Sequence, residues 1–164
     1  MRKTKLTVPR RVCLVLGLAG FVLRPAVPVL GRVPDIAVVV NPDVPVNNLT
    51  RAGLRNFVLG DYQFWPGGVR VTLVIQEPPA PERDAAVKDL CAMTEKQWYV
   101  HWKSRANRAE TDKLRLLFPT EDALYQVSRT PGAIAFVKAP VTNKGVKVLK
   151  IDGKAPGEAG YSVR

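Results

Sequence analysis

The sequence predicts an α/β domain with a mostly parallel sheet of about five strands flanked by helices. Short apolar runs rich in valine and isoleucine recur along the chain, and segments with helical spacing of apolar residues separate them. Strands that alternate with helices form largely parallel sheets, because each helix carries the chain back across the sheet. The length also suits one domain with one core, and no internal repeat is visible.

Residues 1–31 differ from the rest of the chain and are predicted to form a signal peptide for export. A basic region, residues 1–11, precedes an uninterrupted apolar core, residues 12–23. This core is shorter than the about 20 apolar residues that a membrane-spanning helix needs, and prolines follow it. We therefore expect cleavage after this segment and a periplasmic location. The alternative is an uncleaved N-terminal membrane anchor.

Much of the positive charge of the chain lies in this predicted leader. The whole sequence carries 25 lysines and arginines against 14 acids, a net charge of +11. The leader holds six of the basic residues and no acid, so residues 32–164 carry a net charge of +5. Because this excess is modest and forms no dense run, we expect no nucleic-acid partner. A basic module on nucleic acid or on a membrane surface is therefore the least favoured function.

The first half of the domain is predicted to contain two strands and one helix. The run at 36–40 is continuously apolar and β-branched, which is typical of a strand buried on both faces in a parallel sheet. After a proline-rich loop, Thr50 offers an N-cap, and the helix is expected to end at Gly60 in a left-handed conformation. Residues 69–76 alternate between strongly apolar and other side chains and predict the second strand.

An aromatic turn joins this helix to the second strand, and it admits two interpretations. Phe64 and Trp65 lie just before the Pro-Gly-Gly sequence at 66–68, and tryptophan stacks well on ligands. The same aromatic residues, together with Phe57, can instead bury a large apolar area while the proline and glycines turn the chain. We favour packing over ligand binding for this turn.

The second half begins with two helix starts of different kinds. Pro81 suits the first position of a helix, and Glu82 and Asp84 place acids in its first turn. Thr94 and Gln97 have the spacing of a capping box, which predicts the start of another helix that carries two tryptophans on one face.

Three further apolar runs, at 114–118, 133–137 and 146–151, predict the remaining strands. A segment with acids in its first turn predicts a helix between the first two runs. Pro131 and Gly132 then turn the chain into the second of these strands.

The sequence offers few parts for catalysis or metal binding. His101 is the only histidine, and no second ligand follows it at helical spacing, so no metal site is expected. Cys91, the one cysteine outside the leader, lies at an apolar helix position and is expected to be a core residue rather than a nucleophile. No nucleophile-elbow, phosphate-loop or dinucleotide-binding motif is present. We therefore expect no enzyme activity, no catalytic residue and no cofactor.

Five segments of the domain follow one another in a familiar order. They are, in chain order, Ile36–Pro42, Val46–Thr50 with Leu54 and Arg55, Phe57–Gly60, Trp65–Gly68 and Thr130–Val137. Together they resemble the phosphate-type substrate-binding proteins of ABC transporters, in a short single-lobe exported version. The resemblance extends over residues 35–153 and implies one lobe of the type II periplasmic-binding-protein fold. The glycine-rich residues 154–164 are expected to form a flexible tail.

The resemblance also implies structural roles for the glycines and the tryptophan of the aromatic turn. In the family, a glycine followed by a Trp-x-x-Gly pattern joins a helix to a strand, which here corresponds to Gly60, Trp65 and Gly68. Pro131 and Gly132 lie in a second matching turn. These five residues are therefore expected to shape turns rather than to contact a ligand.

The sequence departs from the family where phosphate is expected to bind. In phosphate binders of the family, the strand matching 69–76 is followed by an arginine and a Ser-Gly-Thr loop. The hydroxyls and backbone N–H groups of that loop hold the anion at a helix start. Here Gln76 precedes a loop that begins with Glu77, and three prolines in and after this loop remove three donors. Because two acids occupy the first turn of the next helix, we expect Arg83, the one nearby cation, to pair with them.

This combination predicts an exported, non-enzymatic binding-protein-like domain that is related to phosphate-transport proteins and acts as an accessory, sensor or partner-binding module with a degraded anion loop. Its partner would be a membrane transporter, a channel or a receptor. The alternative is weak binding of phosphate, another small anion or a small solute at the same helix start. In that alternative the ligand would contact Gln76, Glu77, Ala80, Glu82 and Arg83.

Overall fold

The computed structural model describes residues 35–76, 79–107, 114–117 and 120–163. The predicted signal peptide and Glu77 lie outside these ranges. No helix in the described part is long and apolar enough to cross a membrane. The elements are, in chain order, β1 (Ile36–Val40), β2 (Asn48–Leu49), α1 (Arg51–Leu59), β3 (Thr72–Gln76), α2 (Pro81–Cys91), α3 (Glu95–Asn107), β4 (Leu114–Leu117), α4 (Thr120–Arg129), β5 (Ala133–Lys138), β6 (Lys147–Val148) and β7 (Lys150–Ile151).

Five of these strands form the main sheet, in the order β4-β3-β5-β1-β6. β3 pairs in parallel with β4 and β5, whereas β1 pairs antiparallel with β5 and β6. Four of the five strands therefore run in one direction, and β1 runs against them. This confirms the predicted α/β class with a mostly parallel, five-stranded sheet flanked by helices.

The parallel pairing expected for β1 is wrong. All five residues of β1 are buried. A continuous apolar run indicates that both faces of a strand are buried. It does not indicate whether the neighbouring strands run parallel or antiparallel to it. The register of β1 against β5, with Val38 opposite Phe136, is that of an antiparallel pair.

The single strand expected at 146–151 is also corrected, because the chain divides it between two sheets. β6 lies at the edge of the main sheet beside β1, and β7 pairs in parallel with β2 in a separate two-stranded sheet. Leu149 lies between the two strands and is fully buried. Its backbone N–H donates to the Val38 carbonyl at 2.9 Å, which holds the crossing point against the main sheet.

Helices cover both faces of the main sheet. On one face, Val38 and its alternate neighbours in β1 pack in a core with residues of α1, α2 and α3. On the opposite face, Ala37 and Val39 pack in a second core with Val127 of α4. Successive residues of a strand point to opposite faces, so an entirely apolar strand requires cover on both sides.

The helix starts predicted at Thr50 and Thr94 are confirmed. The Thr50 hydroxyl accepts a hydrogen bond from the backbone N–H of Gly53 at 3.0 Å, as an N-cap does. At α3, the backbone N–H of Gln97 donates to the Thr94 hydroxyl at 3.3 Å. The backbone N–H of Thr94 donates in return to the Gln97 side-chain oxygen at 2.9 Å, which completes the capping box.

The C-terminal tail is packed against β1, which contradicts the flexible tail expected from its glycines. Tyr161 and Val163 are fully buried. The Tyr161 hydroxyl donates to the Ile36 carbonyl at 2.7 Å, and the Ile36 N–H donates to the Val163 carbonyl at 3.3 Å. Burial raises the pKa of Tyr161 far above its ordinary value. The glycines predict only that the backbone of the tail is locally flexible. Contacts with residues more than a hundred positions away in the sequence hold the tail in place.

Candidate functional site

The start of α2 is the place where the family resemblance locates a ligand. β3 ends at Gln76, and α2 begins at Pro81, which lacks a backbone N–H. Ala80 occupies the N-cap position and is buried, and no side chain caps the helix. The N–H of Asp84 is already bonded to the Ala80 carbonyl at 2.9 Å. The helix therefore begins with fewer backbone donors than a helix start ordinarily presents.

Arg83 is the central charged group of this region, and only 5% of it is exposed. Its Nη1 donates to the Gln76 carbonyl at 2.6 Å. Its Nε and Nη2 donate to one carboxylate oxygen of Asp84 at 2.8 and 2.6 Å, and Nη2 also donates to Glu95 at 2.9 Å. All three guanidinium nitrogens thus bond to groups of the protein itself, and two carboxylates balance the positive charge.

The predicted pairing of Arg83 with the acids of its own helix is confirmed for Asp84. The second partner, Glu95 in the first turn of α3, is a residue that the sequence analysis missed. No local spacing rule connects positions 83 and 95, because they lie on different helices. An acid in the first turn of the following helix was the one available signal.

The electrostatics of the α2 start are unfavourable to an anion. Glu82, Asp84 and Glu95 lie in the first turns of α2 and α3, beside the single guanidinium of Arg83. The positive end of the helix dipole, equivalent to about half a charge, is already occupied by the acids of the first turn. The region can hold a buried ion-pair network, and it offers little positive potential for a further negative ligand.

A cavity of about 10 Å³ lies beneath this network, which is room for about one water molecule. It is too small for phosphate or for an organic solute. Its lining includes Leu73, Gln76, Arg83, Val87, Trp98 and Phe136. The candidate ligand residues Gln76, Ala80, Glu82 and Arg83 lie between the end of β3 and the first turn of α2, and two of them, Gln76 and Arg83, line this cavity.

A second cluster brings together the residues expected to shape turns. Trp65 is 2% exposed, stacks on Phe57 with ring centroids 4.3 Å apart, and donates from Nε1 to the Gly132 carbonyl at 2.9 Å. Gly132 has a φ of +74°, and a Cβ there would lie 2.0 Å from the Arg70 carbonyl oxygen. Only glycine permits this approach of the turn after Pro131 to the strand-like segment at Arg70.

Gly60 and Gly68 also adopt left-handed conformations, with φ of +77° and +84°. Gly60 ends α1, and a Cβ there would lie 2.7 Å from the Trp102 ring. Gly68 has open space around it, so its backbone conformation alone favours glycine.

The expected burial of Phe64 is wrong. Its side chain is 56% exposed, and the Arg70 guanidinium carbon lies 6.0 Å from the centre of its ring. Phe64 pairs with Arg70 in an isolated antiparallel bridge. Neighbouring residues in an extended segment point to opposite sides, so the burial of Trp65 places Phe64 in solvent.

His101 hydrogen-bonds to the backbone and Cys91 is buried, so both have structural roles. His101 Nε2 lies 2.9 Å from the Leu59 carbonyl, which can only accept, so this nitrogen carries the proton. Cys91 is a buried free thiol, and burial raises its pKa, which disfavours the nucleophilic thiolate. Among the described residues, no group of three or more potential metal ligands is found.

The fold of this chain is similar to that of about half the length of phosphate ABC transporter substrate-binding proteins. No protein-family model matches the sequence, and no curated protein matches it. The likeness comes from solved structures at 13–17% sequence identity, so it shows the fold alone.

Three solved structures illustrate the likeness. A phosphate ABC transporter substrate-binding protein from Clostridium perfringens, solved with bound phosphate, is 16% identical with a TM-score of 0.61, over 75% of this chain and 47% of its own. An ABC-type phosphate transport receptor from Vibrio cholerae is 17% identical with a TM-score of 0.61, over 75% and 48%. PstS from Borrelia burgdorferi is 13% identical with a TM-score of 0.62, over 79% and 54%. The chain spans about half the length of these proteins.

Proposed function

We propose that this protein is an exported, non-enzymatic binding-protein-like domain that acts as an accessory, sensor or partner-binding module of the periplasm, and that it is not a phosphate receptor. The observation that carries this proposal is the state of Arg83. Arg83, the cation that the described residues place at the expected anion site, is buried and bonded to Gln76, Asp84 and Glu95.

Capture of phosphate at the α2 start would rely on the Arg83 guanidinium, whose nitrogens are already bonded to groups of the protein. An oxyanion at a helix start is held by free backbone N–H groups, hydroxyls and the helix dipole. Pro81 has no N–H, Ala80 has no hydroxyl, and two acids stand in the first turn. An incoming anion would have to displace the carboxylates of Asp84 or Glu95 from Arg83, and that exchange gains little because one charge-assisted bond replaces another.

The cavity next to Arg83 gives a second reason. A site for a small ligand is a pocket of several hundred Å³. The cavity lined by Gln76 and Arg83 has room for about one water molecule, which supports a role other than capture of a small ligand at this position.

Isothermal titration calorimetry of the purified protein with inorganic phosphate tests this proposal. We expect no saturable heat at phosphate concentrations up to about 1 mM, where a receptor with micromolar affinity would be saturated. A phosphate transport receptor of the kind found in Vibrio cholerae serves as the positive control in the same buffer. Micromolar binding that Arg83→Ala abolishes would refute the proposal and support a phosphate-binding site at the α2 start.

A further inference from the structure

The turn after α1 sorts its aromatic residues into an inner and an outer set. Trp65 and its stacking partner Phe57 face the core. Tyr62 and Phe64 are 48% and 56% exposed. We call Tyr62, Phe64 and Arg70 the aromatic ledge. The Tyr62 ring meets the edge of the Phe57 ring with centroids 5.3 Å apart, and the Arg70 guanidinium lies beside the Phe64 ring.

The ledge is held rigid by bonds of its own backbone. The N–H of Trp65 donates to the Val69 carbonyl at 2.7 Å, and the N–H of Val71 donates to the Gln63 carbonyl at 2.8 Å. The N–H of Gly68 donates to the Trp65 carbonyl at 3.0 Å and closes the turn. The buried indole then fixes the hairpin to Gly132. A surface held in this way loses little conformational entropy when a partner binds.

The ledge also carries an uncompensated positive charge. Among the described residues, no carboxylate forms an ion pair with Arg70, whose guanidinium lies near the Phe64 ring. The acid nearest in sequence, Asp61, is paired with Arg105 at 3.2 Å. The domain as a whole is basic as well. The ledge therefore attracts a negatively charged partner.

A second aromatic–arginine pair provides a useful contrast. Tyr125 is 57% exposed, and the Arg129 guanidinium carbon lies 5.7 Å from its ring centre. These residues are four apart on α4, where such contacts are ordinary between neighbouring helix turns. The pair has one exposed ring on a helix, whereas the ledge has two exposed rings on a hairpin that is anchored in the core.

From these observations we propose that the aromatic ledge is a docking surface for an acidic segment of a partner protein. Exposed aromatic side chains beside arginine are enriched in protein interfaces and carry much of their binding energy. A carboxylate of the partner would pair with Arg70, and an aromatic or proline ring would stack on Phe64. A small ligand would need a concave site, and the cavity described above lies elsewhere. This inference rests on the proposed function in one respect, that the domain acts through a protein partner.

Binding of a random glutamate–tyrosine copolymer, measured by biolayer interferometry on the purified protein, tests the ledge. We expect Phe64→Ser and Arg70→Gln each to weaken binding about tenfold, as loss of an interface anchor does. The matched control, Tyr125→Ser, removes an equally exposed ring from α4 and is expected to leave the affinity within about twofold. Polyglutamate without tyrosine is expected to bind more weakly than the copolymer, because it lacks the rings that stack on Phe64.

Other occupants give different results. Retention of the protein on phosphatidylglycerol vesicles or on polygalacturonate, lost in Phe64→Ser while copolymer binding is unchanged, would overturn the proposal in favour of a membrane or a glycan. Self-association that Phe64→Ser abolishes would assign the ledge to a second copy of the chain. Absence of copolymer binding, or binding that the ledge variants leave unaltered, would also overturn it. Phosphate titration reports on the α2 start alone, so the two proposals fail separately.

Discussion

The starts of α1 and α2 are stabilised by different groups. α1 has Thr50 as its N-cap and no acid in its first turn. The backbone N–H of Arg51, its first residue, donates to the Asp152 carboxylate. α2 begins with Ala80 and Pro81 and has its own acids in the first turn. Each helix start also carries an arginine paired with a carboxylate.

The two arginines differ in burial, and burial decides how easily each could exchange its partner for a ligand. Arg51 pairs with Asp89 at 2.9 Å where both side chains are about one-third exposed. Arg83 is nearly inaccessible and has partners on two helices. An exposed pair can exchange its partner for a ligand at little cost, whereas a buried network exchanges its partners only at the expense of the fold. The burial of Arg83 therefore ties the α2 start to the core, and this supports the proposal that the α2 start does not capture phosphate.

The largest expected effect is that of Arg83→Met, which would destabilise the fold by about 2 kcal/mol. The variant removes the hydrogen bond from Arg83 to the buried Gln76 carbonyl and both ion pairs of the guanidinium, while the carboxylates of Asp84 and Glu95, which are 37% and 45% exposed, regain water. Urea unfolding followed by circular dichroism measures the change. The matched variant Arg51→Met is expected to lower the free energy of unfolding by less than about 1 kcal/mol. Equal losses of stability in the two variants would show that burial does not distinguish the two arginines.

Tyr161→Phe tests the tail, in which the neighbouring Ser162 carbonyl accepts a hydrogen bond from Arg51 at the start of α1. Loss of the hydroxyl donor to the buried Ile36 carbonyl is expected to cost about 1.5 kcal/mol at neutral pH. Chemical denaturation near pH 7 measures this difference.

The same variant predicts a dependence on pH. Because the pKa of Tyr161 is raised in the folded state, the unfolded chain loses its proton first, near the ordinary value of about 10. Above that pH the unfolded state binds fewer protons, so the stability contributed by Tyr161 falls as pH rises. The advantage of the original protein over Tyr161→Phe should therefore shrink between about pH 10 and 11. A constant or growing difference would show that the hydroxyl is not buried as described.

Thr50→Ala removes the N-cap of α1 and is expected to cost about 1 kcal/mol. Thr50→Ser keeps a hydroxyl for the N–H of Gly53 and should recover most of that loss. The midpoints of urea unfolding of the original protein and the two variants measure these changes. If Thr50→Ala unfolds at the same urea concentration as the original protein, the Asp152 carboxylate alone is sufficient to cap α1.

The smallest expected effect on stability is that of Phe64→Ser, within about 0.5 kcal/mol, because the ring is exposed and its removal leaves no cavity. This variant tests the ledge without altering the core, because the neighbouring Trp65 is unchanged and remains buried. Thermal unfolding checks the result. A loss comparable with that of Arg83→Met would show that Phe64 packs against the fold and would weaken the case for a docking surface.

Features that depend on a few neighbouring residues were predictable from the sequence. The cap at Thr50 and the capping box at Thr94 involve residues three apart in the chain, so the pattern itself contains both partners. The pairing of Arg83 with Asp84 is equally local. The presence of a five-stranded α/β sheet was predictable as well, because buried strands must be apolar.

Contacts between distant segments decided the rest. The antiparallel direction of β1, the exposure of Phe64, the second partner of Arg83 and the burial of Tyr161 each depend on which segments meet in space.

By itself, therefore, the sequence determined the helices, the apolar strands at the centre of the main sheet and the fold class, since these follow from short-range hydrogen bonding and from the periodicity of apolar side chains. Only the tertiary structure decided which charges are buried and which aromatic rings remain exposed. The physical reason is that burial is a property of packed surfaces, and packing brings together residues that no local spacing connects.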